Sequence, residues 1–189
     1  MMPEGSNSQG DYRIFVGAYL EGELSERIQA LRLQYDPVTA RISQPHVTLA
    51  GVYWRNGPAT PENEAETIRR LDILSGLIPS FELLFQGVST YPGKRPVVHL
   101  NVLINEGIIE ARNLLLSVLG QDKHRHFRPH LTLAMRLPWF EAWSMVSELQ
   151  ETEWNTQQHA ALITSLRLMQ RGQDDPSWRC IHQIDLVQR

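Results

Sequence analysis

Residues 45–50 read Pro-His-Val-Thr-Leu-Ala, and residues 129–134 read Pro-His-Leu-Thr-Leu-Ala. The two segments agree at five of six positions, and the remaining position exchanges one aliphatic side chain for another. Residues two apart in a β-strand share a face, so each copy would present its histidine and threonine together and bury its aliphatic residues on the opposite face. The leading proline suits the first residue of a strand, where a missing backbone donor is tolerated. Each copy therefore predicts a strand that is anchored in the core and presents one imidazole and one hydroxyl.

The sequence around the two copies predicts a repeated order of strands and helices. Hydrophobic periodicity and turn residues indicate strands at about 12–20, 46–53, 81–89, 97–104, 130–136, 160–170 and 178–187. Helical spacing of apolar residues indicates helices at about 24–35, 61–74, 107–119 and 139–149. The order strand, helix, motif strand, helix, strand thus occurs twice. We expect an α+β fold in which each repeat forms one lobe, with the two lobes related by a pseudo-twofold axis around one cleft.

Two expectations concern burial. After Pro138, the residues Trp139, Trp143, Val146 and Leu149 recur at helical spacing and are expected to face the core together. The single cysteine, Cys180, excludes an internal disulfide and suits a reducing compartment. We expect its side chain to be buried as a small hydrophobic group.

Composition limits the class of protein. The chain has 189 residues, of which 42% are hydrophobic and 21% are charged, and this is ordinary for a globular protein that buries a core. We expect residues 1–11 to form a disordered tail and residues 12–189 to form a single domain, which we expect to be monomeric. No apolar run approaches the roughly 20 residues that span a bilayer, and the first residues lack the basic and apolar regions of a signal peptide. We therefore expect a cytoplasmic protein without a membrane segment.

The formal net charge of −3 argues against a broad surface for nonspecific nucleic-acid binding. It still allows a local basic patch around a single phosphate. Two clusters could supply such a patch, one at Lys94–Arg95 and one at Lys123–Arg128. In the second cluster, Arg125 and Arg128 are candidate substrate contacts.

Two histidines and two threonines are sufficient for metal-free cleavage of a phosphodiester. An imidazole with an ordinary pKa near 6.5 can act as base or acid at neutral pH, so one of His46 and His130 could activate water while the other protonates the leaving oxygen. The hydroxyls of Thr48 and Thr132 could donate hydrogen bonds to the nonbridging phosphate oxygens. The alternative is metal binding by the motif histidines together with those of the 123–128 cluster. We predict neither a metal nor a cofactor, because no carboxylate or cysteine accompanies the motifs.

Several stretches carry a family resemblance. They are the two Pro-His-φ-Thr-Leu-Ala segments, the strand Arg13-Ile-Phe-Val, the stretch Tyr91-Pro-Gly-Lys-Arg-Pro-Val-Val-His-Leu, and the stretch Ile163-Thr-Ser-Leu-Arg-Leu-Met. Together they resemble the 2H phosphoesterase superfamily, and in particular the branch named for the 2′-5′ RNA ligase, whose members act as RNA 2′,3′-cyclic phosphodiesterases. The resemblance implies a bilobal fold of antiparallel strands with outer helices, in which the two His-x-Thr strands face each other across a central groove.

The resemblance also implies the site and its activity. His46 and His130 would be the catalytic pair, and Thr48 and Thr132 would bind the phosphate of RNA or of a nucleotide while a 2′,3′-cyclic phosphate is hydrolysed to a 2′-phosphomonoester. His46 would be the acid and His130 the base, although the near symmetry of the motifs leaves this order open on the residues alone. Two alternatives stay open: cleavage or ligation of a 2′-5′ linkage, and a noncatalytic RNA- or nucleotide-binding module. A noncatalytic binding module would require no pair of proton donor and acceptor.

This chain departs from the common family pattern directly after each motif. Where the family commonly has an arginine after the second motif, this chain has Met135, and Arg136 follows one residue later. That shift turns the side chain to the other face of a strand, and Arg125 or Arg128 could substitute for it. After the first motif, Tyr53 is a further candidate substrate contact, which could stack on a base or pack in the core.

Overall fold

The computed structural model describes residues 12–55, 60–120, 122, 126–171 and 177–188, with the backbone alone at residues 12 and 52–55. The tail expected at residues 1–11 lies outside the described residues. The described chain runs through β1 (Tyr12–Tyr19), α1 (Gly22–Tyr35), α2 (Pro37–Ile42), β2 (His46–Arg55), α3 (Pro61–Asp72), β3 (Phe81–Tyr91), β4 (Val97–Leu103), α4 (Glu106–Leu119), β5 (His130–Ala134), α5 (Trp139–Gln150), α6 (Glu153–Thr156), β6 (Gln158–Ile163), β7 (Ser165–Arg171) and β8 (Arg179–Asp185).

The strands form one sheet in the order β6-β3-β4-β5-β2-β1-β7-β8, and each neighbouring pair is antiparallel. The two motif strands, β2 and β5, are adjacent at its centre. Outward from them, β1 and β4 occupy equivalent positions, followed by β7 and β3 and then by β8 and β6. This symmetric order confirms the predicted α+β fold with two lobes, related by a pseudo-twofold axis that passes between β2 and β5.

The lobes do not coincide with the two halves of the sequence, and this corrects the expected assignment of one repeat to each lobe. The first lobe contains β1, β2, β7 and β8, whereas the second contains β3, β4, β5 and β6. The strand β3 joins the second lobe because it forms a hairpin with β4, in which Tyr91 pairs with Val97. The C-terminal strands β7 and β8 then return to complete the first lobe beside β1.

Two helices pack against the sheet on the motif strand of the opposite lobe. Helix α1 packs against β5, and helix α4 packs against β2, so each covers the motif strand of the other lobe. The side chains predicted to anchor the motif strands are fully buried: Val47, Leu49, Leu131 and Leu133. None of the helices in the described ranges is long and apolar enough to cross a membrane.

Two segments differ from the predicted elements for local reasons. Asp36 and Pro37 do not simply end a helix, because the Asp36 carboxylate accepts a hydrogen bond from the Thr39 backbone and Pro37 occupies the first turn of the short helix α2. The strand expected at 160–170 is two strands, β6 and β7, interrupted at Thr164. The interruption is needed because β6 pairs with β3 in the second lobe and β7 pairs with β1 in the first.

The two burial expectations for side chains outside the motifs are wrong in part. In α5, the buried residues are Ala142, Met145, Val146 and Leu149, while Trp139 and Trp143 are 62% and 48% exposed. The true stripe has the spacing i, i+3, i+4, i+7 and includes a small alanine, which gives a weaker sequence signal than the two tryptophans. Cys180 is exposed on β8 rather than buried.

Candidate active site

The site is centred on the contact between the two motif strands. Val47 of β2 pairs with Leu131 of β5, and both side chains point away from the groove into the core. The antiparallel register through this pair places His46 opposite Thr132 and Thr48 opposite His130. One imidazole and one hydroxyl therefore meet on either side of the pseudo-twofold axis, on the face that the strand periodicity predicts.

The first histidine lies in an aromatic environment. The half-buried His46 imidazole stacks on the rings of Phe15 and Tyr19, with centroid distances of 5.3 and 4.8 Å. Gly17 lies between these two residues on β1, and a Cβ at this position would crowd both rings. Burial in this environment lowers the pKa of His46 to about 4. The imidazole is therefore neutral at pH 7.

The second histidine has different neighbours. The ring of His130 meets the edges of Tyr91 and His99, with centroid distances of 5.1 and 5.2 Å. His99 is buried, pairs with Thr132 across β4 and β5, and stacks on Tyr91 at 4.1 Å. Burial lowers the pKa of His99. The position equivalent to His99 in the first lobe is Gly17, which pairs with Thr48, so the pseudo-twofold symmetry is broken beside the two motif histidines.

Backbone carbonyls fix the tautomer of both motif histidines. Nδ1 of His46 lies 2.8 Å from the Gln44 carbonyl oxygen, and Nδ1 of His130 lies 2.9 Å from that of Arg128. A carbonyl oxygen can only accept, so Nδ1 carries the proton and donates it in each bond. Nε2 is then the nitrogen that gains or loses a proton in acid–base chemistry.

A cavity of about 710 Å³ extends from the site on the His130 side. Its walls combine the motif residues Thr48 and His130, the aromatic rings of Tyr91 and Phe127, the cationic Arg128, and Met135, which follows β5. Arg112 and Asp122 form an ion pair of 2.8 Å in the same wall, and the Arg112 guanidinium lies 4.1 Å from the centroid of Phe127. The cavity thus joins an apolar, aromatic surface to the motif residues Thr48 and His130.

A second cavity, of about 470 Å³, borders the His46 side. It is lined by Tyr19, which stacks on His46, by Trp178, and by Arg167. The Arg167 guanidinium lies 4.9 Å from the Tyr19 ring centroid and donates to the Gln44 side chain. Aromatic and cationic groups therefore flank the motif pair on both sides.

Two carboxylates hold the backbone just beyond the motifs. Asp36, at the end of α1, accepts hydrogen bonds of 3.0 Å from the backbone N–H groups of Met135 and Arg136 after β5's motif. Asp122, after α4, accepts a bond of 2.8 Å from the Gly51 N–H after β2's motif. Burial alone would raise the pKa of Asp36, but hydrogen bonds from Thr39, Met135 and Arg136 lower it below its ordinary value.

The metal-binding alternative concerns the motif histidines and those of the 123–128 cluster. Across the described parts of the chain, no group of three histidine, cysteine, aspartate or glutamate side chains lies close enough to hold a metal ion. His124, which the alternative would use, lies outside the described residues.

A model of the 2′-5′ RNA ligase superfamily matches residues 20–175, a range that includes both motif strands and most of both lobes. This chain belongs to the 2′-5′ RNA ligase superfamily. Its paired His-x-Thr strands place it among the 2H phosphoesterases. No curated protein sequence matches the chain.

Several solved structures have the same fold. E. coli LigT complexed with 3′-AMP is 21% identical, with a TM-score of 0.62 over 94% of this chain and 99% of that chain. The protein TT0787 of Thermus thermophilus is 16% identical, with a TM-score of 0.60 over 92% of this chain and 97% of that chain. Usb1 of Kluyveromyces marxianus is 12% identical, with a TM-score of 0.52 over 92% of this chain and 98% of that chain.

The structure brings only some of the residues predicted to bind substrate together at the motif strands. The motif residues share one face at the centre of the sheet, and Arg128 lines the adjoining cavity. Arg125 lies outside the described residues, as does the side chain of Tyr53. Met135 lines the cavity, whereas Arg136 is exposed beyond the end of β5.

Sequence reasoning missed four residues of the site: Asp36, His99, Arg112 and Asp122. His99 carried a usable signal, because it lies on a predicted strand and its alternation with Val98 and Leu100 resembles that of a motif strand. The other three act through contacts between residues far apart in sequence, which no local pattern indicates.

Proposed function

We propose that this protein is a metal-independent phosphodiesterase that hydrolyses 2′,3′-cyclic phosphates of RNA or nucleotides to 2′-phosphomonoesters. The observation that carries the proposal is the adjacent, antiparallel pairing of the two His-x-Thr strands, which presents two imidazoles and two hydroxyls to one phosphate. A module that only binds nucleotides needs hydrogen-bond donors and cations but not two imidazoles with fixed tautomers. Superfamily membership supports the same class of chemistry.

The residues supply each part of such a reaction. One imidazole removes a proton from water through Nε2 as the water oxygen forms a bond to phosphorus. The bond between phosphorus and O3′ breaks, and the other imidazole donates a proton to O3′, which leaves the phosphate on O2′. The hydroxyls of Thr48 and Thr132 donate hydrogen bonds to the nonbridging oxygens, where negative charge increases in the transition state.

The environments of the two histidines favour one order of acid and base. The pKa of His46 is lowered to about 4 by burial, so its Nε2 is unprotonated at neutral pH and able to accept a proton from water. His130 would then be the acid that protonates O3′. We propose this order in preference to the reverse order that the family resemblance implies, because an acid with so low a pKa would be almost entirely deprotonated at pH 7.

The larger cavity suits the nucleoside that carries the cyclic phosphate. Its volume of about 710 Å³ falls in the ordinary range of small-molecule sites, about 300–1,000 Å³. Tyr91 and Phe127 can stack on a base, as aromatic side chains do in single-strand binding proteins, and Arg128 adds positive charge near the phosphate. LigT, which has the same fold, has been crystallised with 3′-AMP, ATP and NADP⁺, and this supports a nucleotide ligand.

The second cavity favours a second candidate function, cleavage or ligation of a 2′-5′ linkage. Such a phosphodiester has a nucleoside on each side of the phosphate. The cavity of about 470 Å³ beside Tyr19 and Trp178 lies on the opposite flank of the motif pair and could hold the second nucleoside.

The decisive experiment compares products from 2′,3′-cyclic, 3′,5′-cyclic and 2′-5′-linked substrates in the presence of EDTA. We expect turnover of the 2′,3′-cyclic substrate to a 2′-phosphomonoester. His46→Ala and His130→Ala should each lower kcat by about 10²–10⁴-fold, the typical contribution of one proton-transfer group. His182→Ala is the matched control, because this histidine pairs with Asp72 at 2.6 Å on the edge strand β8, and it should retain wild-type activity.

Other outcomes would select other functions. Turnover of the 2′-5′ linkage alone would support the second candidate. Near-wild-type activity in either motif variant would contradict paired acid–base catalysis, and loss of activity in EDTA that zinc or manganese restores would favour the metal-binding alternative.

A further inference from the structure

The two motif strands share little backbone pairing of their own. Within the described residues, their register is given by one pair, Val47 with Leu131, whereas β1 and β2 pair over most of their length. Because each motif histidine lies on a different strand, the distance between the two imidazoles depends on how firmly β2 and β5 are held together. Other contacts across the pseudo-twofold axis therefore matter for the geometry of the site.

Two aspartates make such contacts, and they make them in an equivalent way. Gly51 and Met135 each follow the final alanine of their motif. The Gly51 N–H donates to Asp122, which follows α4 of the opposite lobe, and the Met135 N–H donates to Asp36, which follows α1 of the opposite lobe. Each lobe thus holds the end of the other lobe's motif with one carboxylate. We call these two contacts the crossed aspartate contacts.

Asp122 is held firmly in this position. Its carboxylate side chain is 6% exposed and is bound to Arg112, whose own side chain is 10% exposed. The same Arg112 nitrogen donates to the Leu49 carbonyl oxygen of β2, so the ion pair contacts the motif strand on both sides of Ala50. Gly51 is required here because a Cβ at this position would overlap the Asp122 carboxylate.

Asp36 is held in a comparable way. It is 3% exposed, its Oδ2 accepts from the Thr39 hydroxyl at 2.7 Å, and it also accepts from the Arg136 N–H. Charged acceptors form hydrogen bonds about twice as strong as neutral ones. The two carboxylates therefore restrain the ends of both motif strands more strongly than amide or hydroxyl side chains would.

We propose that Asp36 and Asp122 are positioning residues, which set the distance and orientation between the two His-x-Thr strands through the crossed aspartate contacts. Neither is placed among the groups that exchange protons with substrate or bind its phosphate. This inference rests on the proposed function for its kinetic consequences, because misplacement of reacting groups by about 1 Å can reduce the rate by about 10²-fold. It predicts that loosening either contact lowers kcat more than it raises KM.

The test measures kcat and KM for 2′,3′-cyclic AMP in Asp122→Asn, Gly51→Ala and the double variant, at a temperature where circular dichroism shows each to be folded. Gly51→Ala displaces the carboxylate without removing its charge, so it remains informative if Asp122→Asn fails to fold. We expect each single variant to lower kcat by about 10–100-fold with little change in KM. The double variant should be no slower than the slower single variant, because both substitutions break the same contact.

The controls match each substitution. Asp72→Asn removes a carboxylate that pairs with His182 at the sheet edge, and Gly93→Ala adds a Cβ whose nearest neighbour is the Arg95 carbonyl oxygen at 3.7 Å. Both should keep wild-type kcat. A lowered melting temperature with unchanged kcat in the Asp122 and Gly51 variants would overturn the inference and leave a purely structural role.

A second readout separates this inference from the proposed function. If the wild-type protein does not turn over 2′,3′-cyclic AMP, the proposed function fails, but the ring nitrogens of His46 and His130 can still be followed by NMR. The inference then stands if Gly51→Ala shifts the ring signals of both histidines while Gly93→Ala shifts neither, and it fails if the two variants behave alike.

Discussion

At the scale of single residues, the two motif histidines show how a nearly symmetric site can assign different roles to chemically identical groups. His46 stacks on Phe15 and Tyr19, while His130 meets the ring edges of Tyr91 and His99. The two stacked rings bury part of the His46 imidazole, and this burial disfavours its protonated form. The difference begins at one pair of equivalent strand positions, occupied by Gly17 in one lobe and His99 in the other.

This difference predicts the pH dependence of the reaction. If His46 is the base, it must be neutral, so kcat/KM should rise as pH increases through the His46 pKa near 4 and fall at higher pH as the acid is deprotonated. Tyr19→Ala should admit water to the imidazole and move the acidic limb upward, toward the ordinary value of about 6.5. The measurements are the pH profile of kcat/KM and the NMR titration of His46.

Tyr91→Ala is the matched control for this prediction, because it removes a tyrosine beside His130 instead. It should leave the acidic limb where it is in the wild-type protein. A wild-type acidic limb near the ordinary imidazole value of about 6.5 would contradict the lowered pKa of His46 and, with it, the reason for making His46 the base.

The residues that sequence alone could identify are those whose role repeats along a strand. The alternation of histidine and threonine with aliphatic residues predicts both the exposed and the buried face of each motif, because a strand fixes this alternation locally. Asp36 and Asp122 could not be found in this way, since each contacts a backbone N–H about 70–100 residues away. These contacts exist only because α1 and α4 each pack against the motif strand of the opposite lobe.

At the scale of secondary-structure elements, the junction between α1 and α2 positions the strand that carries His46. Arg32 is 1% exposed, and its guanidinium donates to the carbonyl oxygens of Ser43 and Thr39 at 2.8 and 3.3 Å. Burial lowers the pKa of Arg32, and the hydrogen bonds to the two carbonyl oxygens stabilise the guanidinium against this effect. The segment that leads into Pro45 and His46 is thereby fixed to α1.

This junction predicts an unequal effect of two arginine substitutions. Arg32→Leu should lower the free energy of unfolding by about 2–4 kcal/mol, because the carbonyl oxygens of Thr39 and Ser43 would lose a buried donor. Arg41→Leu, at an exposed position of α2, should change it by less than about 0.5 kcal/mol. Urea denaturation of both variants measures the difference, and equal losses would show that Arg32 contributes no more than a surface residue.

Helices and strands were predictable where the hydrophobic periodicity is strong and capping or turn residues mark the ends. Helix α3 begins at Pro61 after the capping residue Thr60, as its sequence indicates. The buried face of α5 was not predictable, because Trp139 and Trp143 give a stronger apolar signal than Ala142 and Met145 and yet lie outside the contact with β3 and β4. Which apolar stripe is buried depends on the neighbouring strands, and a local pattern contains no information about them.

At the scale of the whole molecule, the chain links the two lobes more than once. Strand β3, from the first half of the sequence, belongs to the second lobe, and β7 and β8 return from the second half to the first lobe. Helices α1 and α4 cover the opposite motif strand, and the crossed aspartate contacts join the same elements. Neither lobe can be completed by a continuous half of the chain, so the lobes should depend on each other for stability.

This arrangement predicts that the two lobes unfold together. Chains longer than about 150 residues often populate intermediates, and two independent lobes would open with different free energies. Because the connections cross, we expect the slowest-exchanging amides of β1 and β4 to report the same opening free energy, equal to that of global unfolding, in native-state hydrogen exchange. Calorimetry should then give equal calorimetric and van't Hoff enthalpies.

Different opening free energies for the two lobes would contradict this prediction. If the amides of β1 and β4 differed in opening free energy by more than about 2 kcal/mol, one lobe would be able to unfold while the other stayed folded. Gly51→Ala sharpens the comparison, because it displaces an aspartate that joins the lobes without removing a core side chain. If the crossed aspartate contacts couple the lobes, this variant should separate the two opening free energies, whereas Gly93→Ala should lower neither of them and leave them equal.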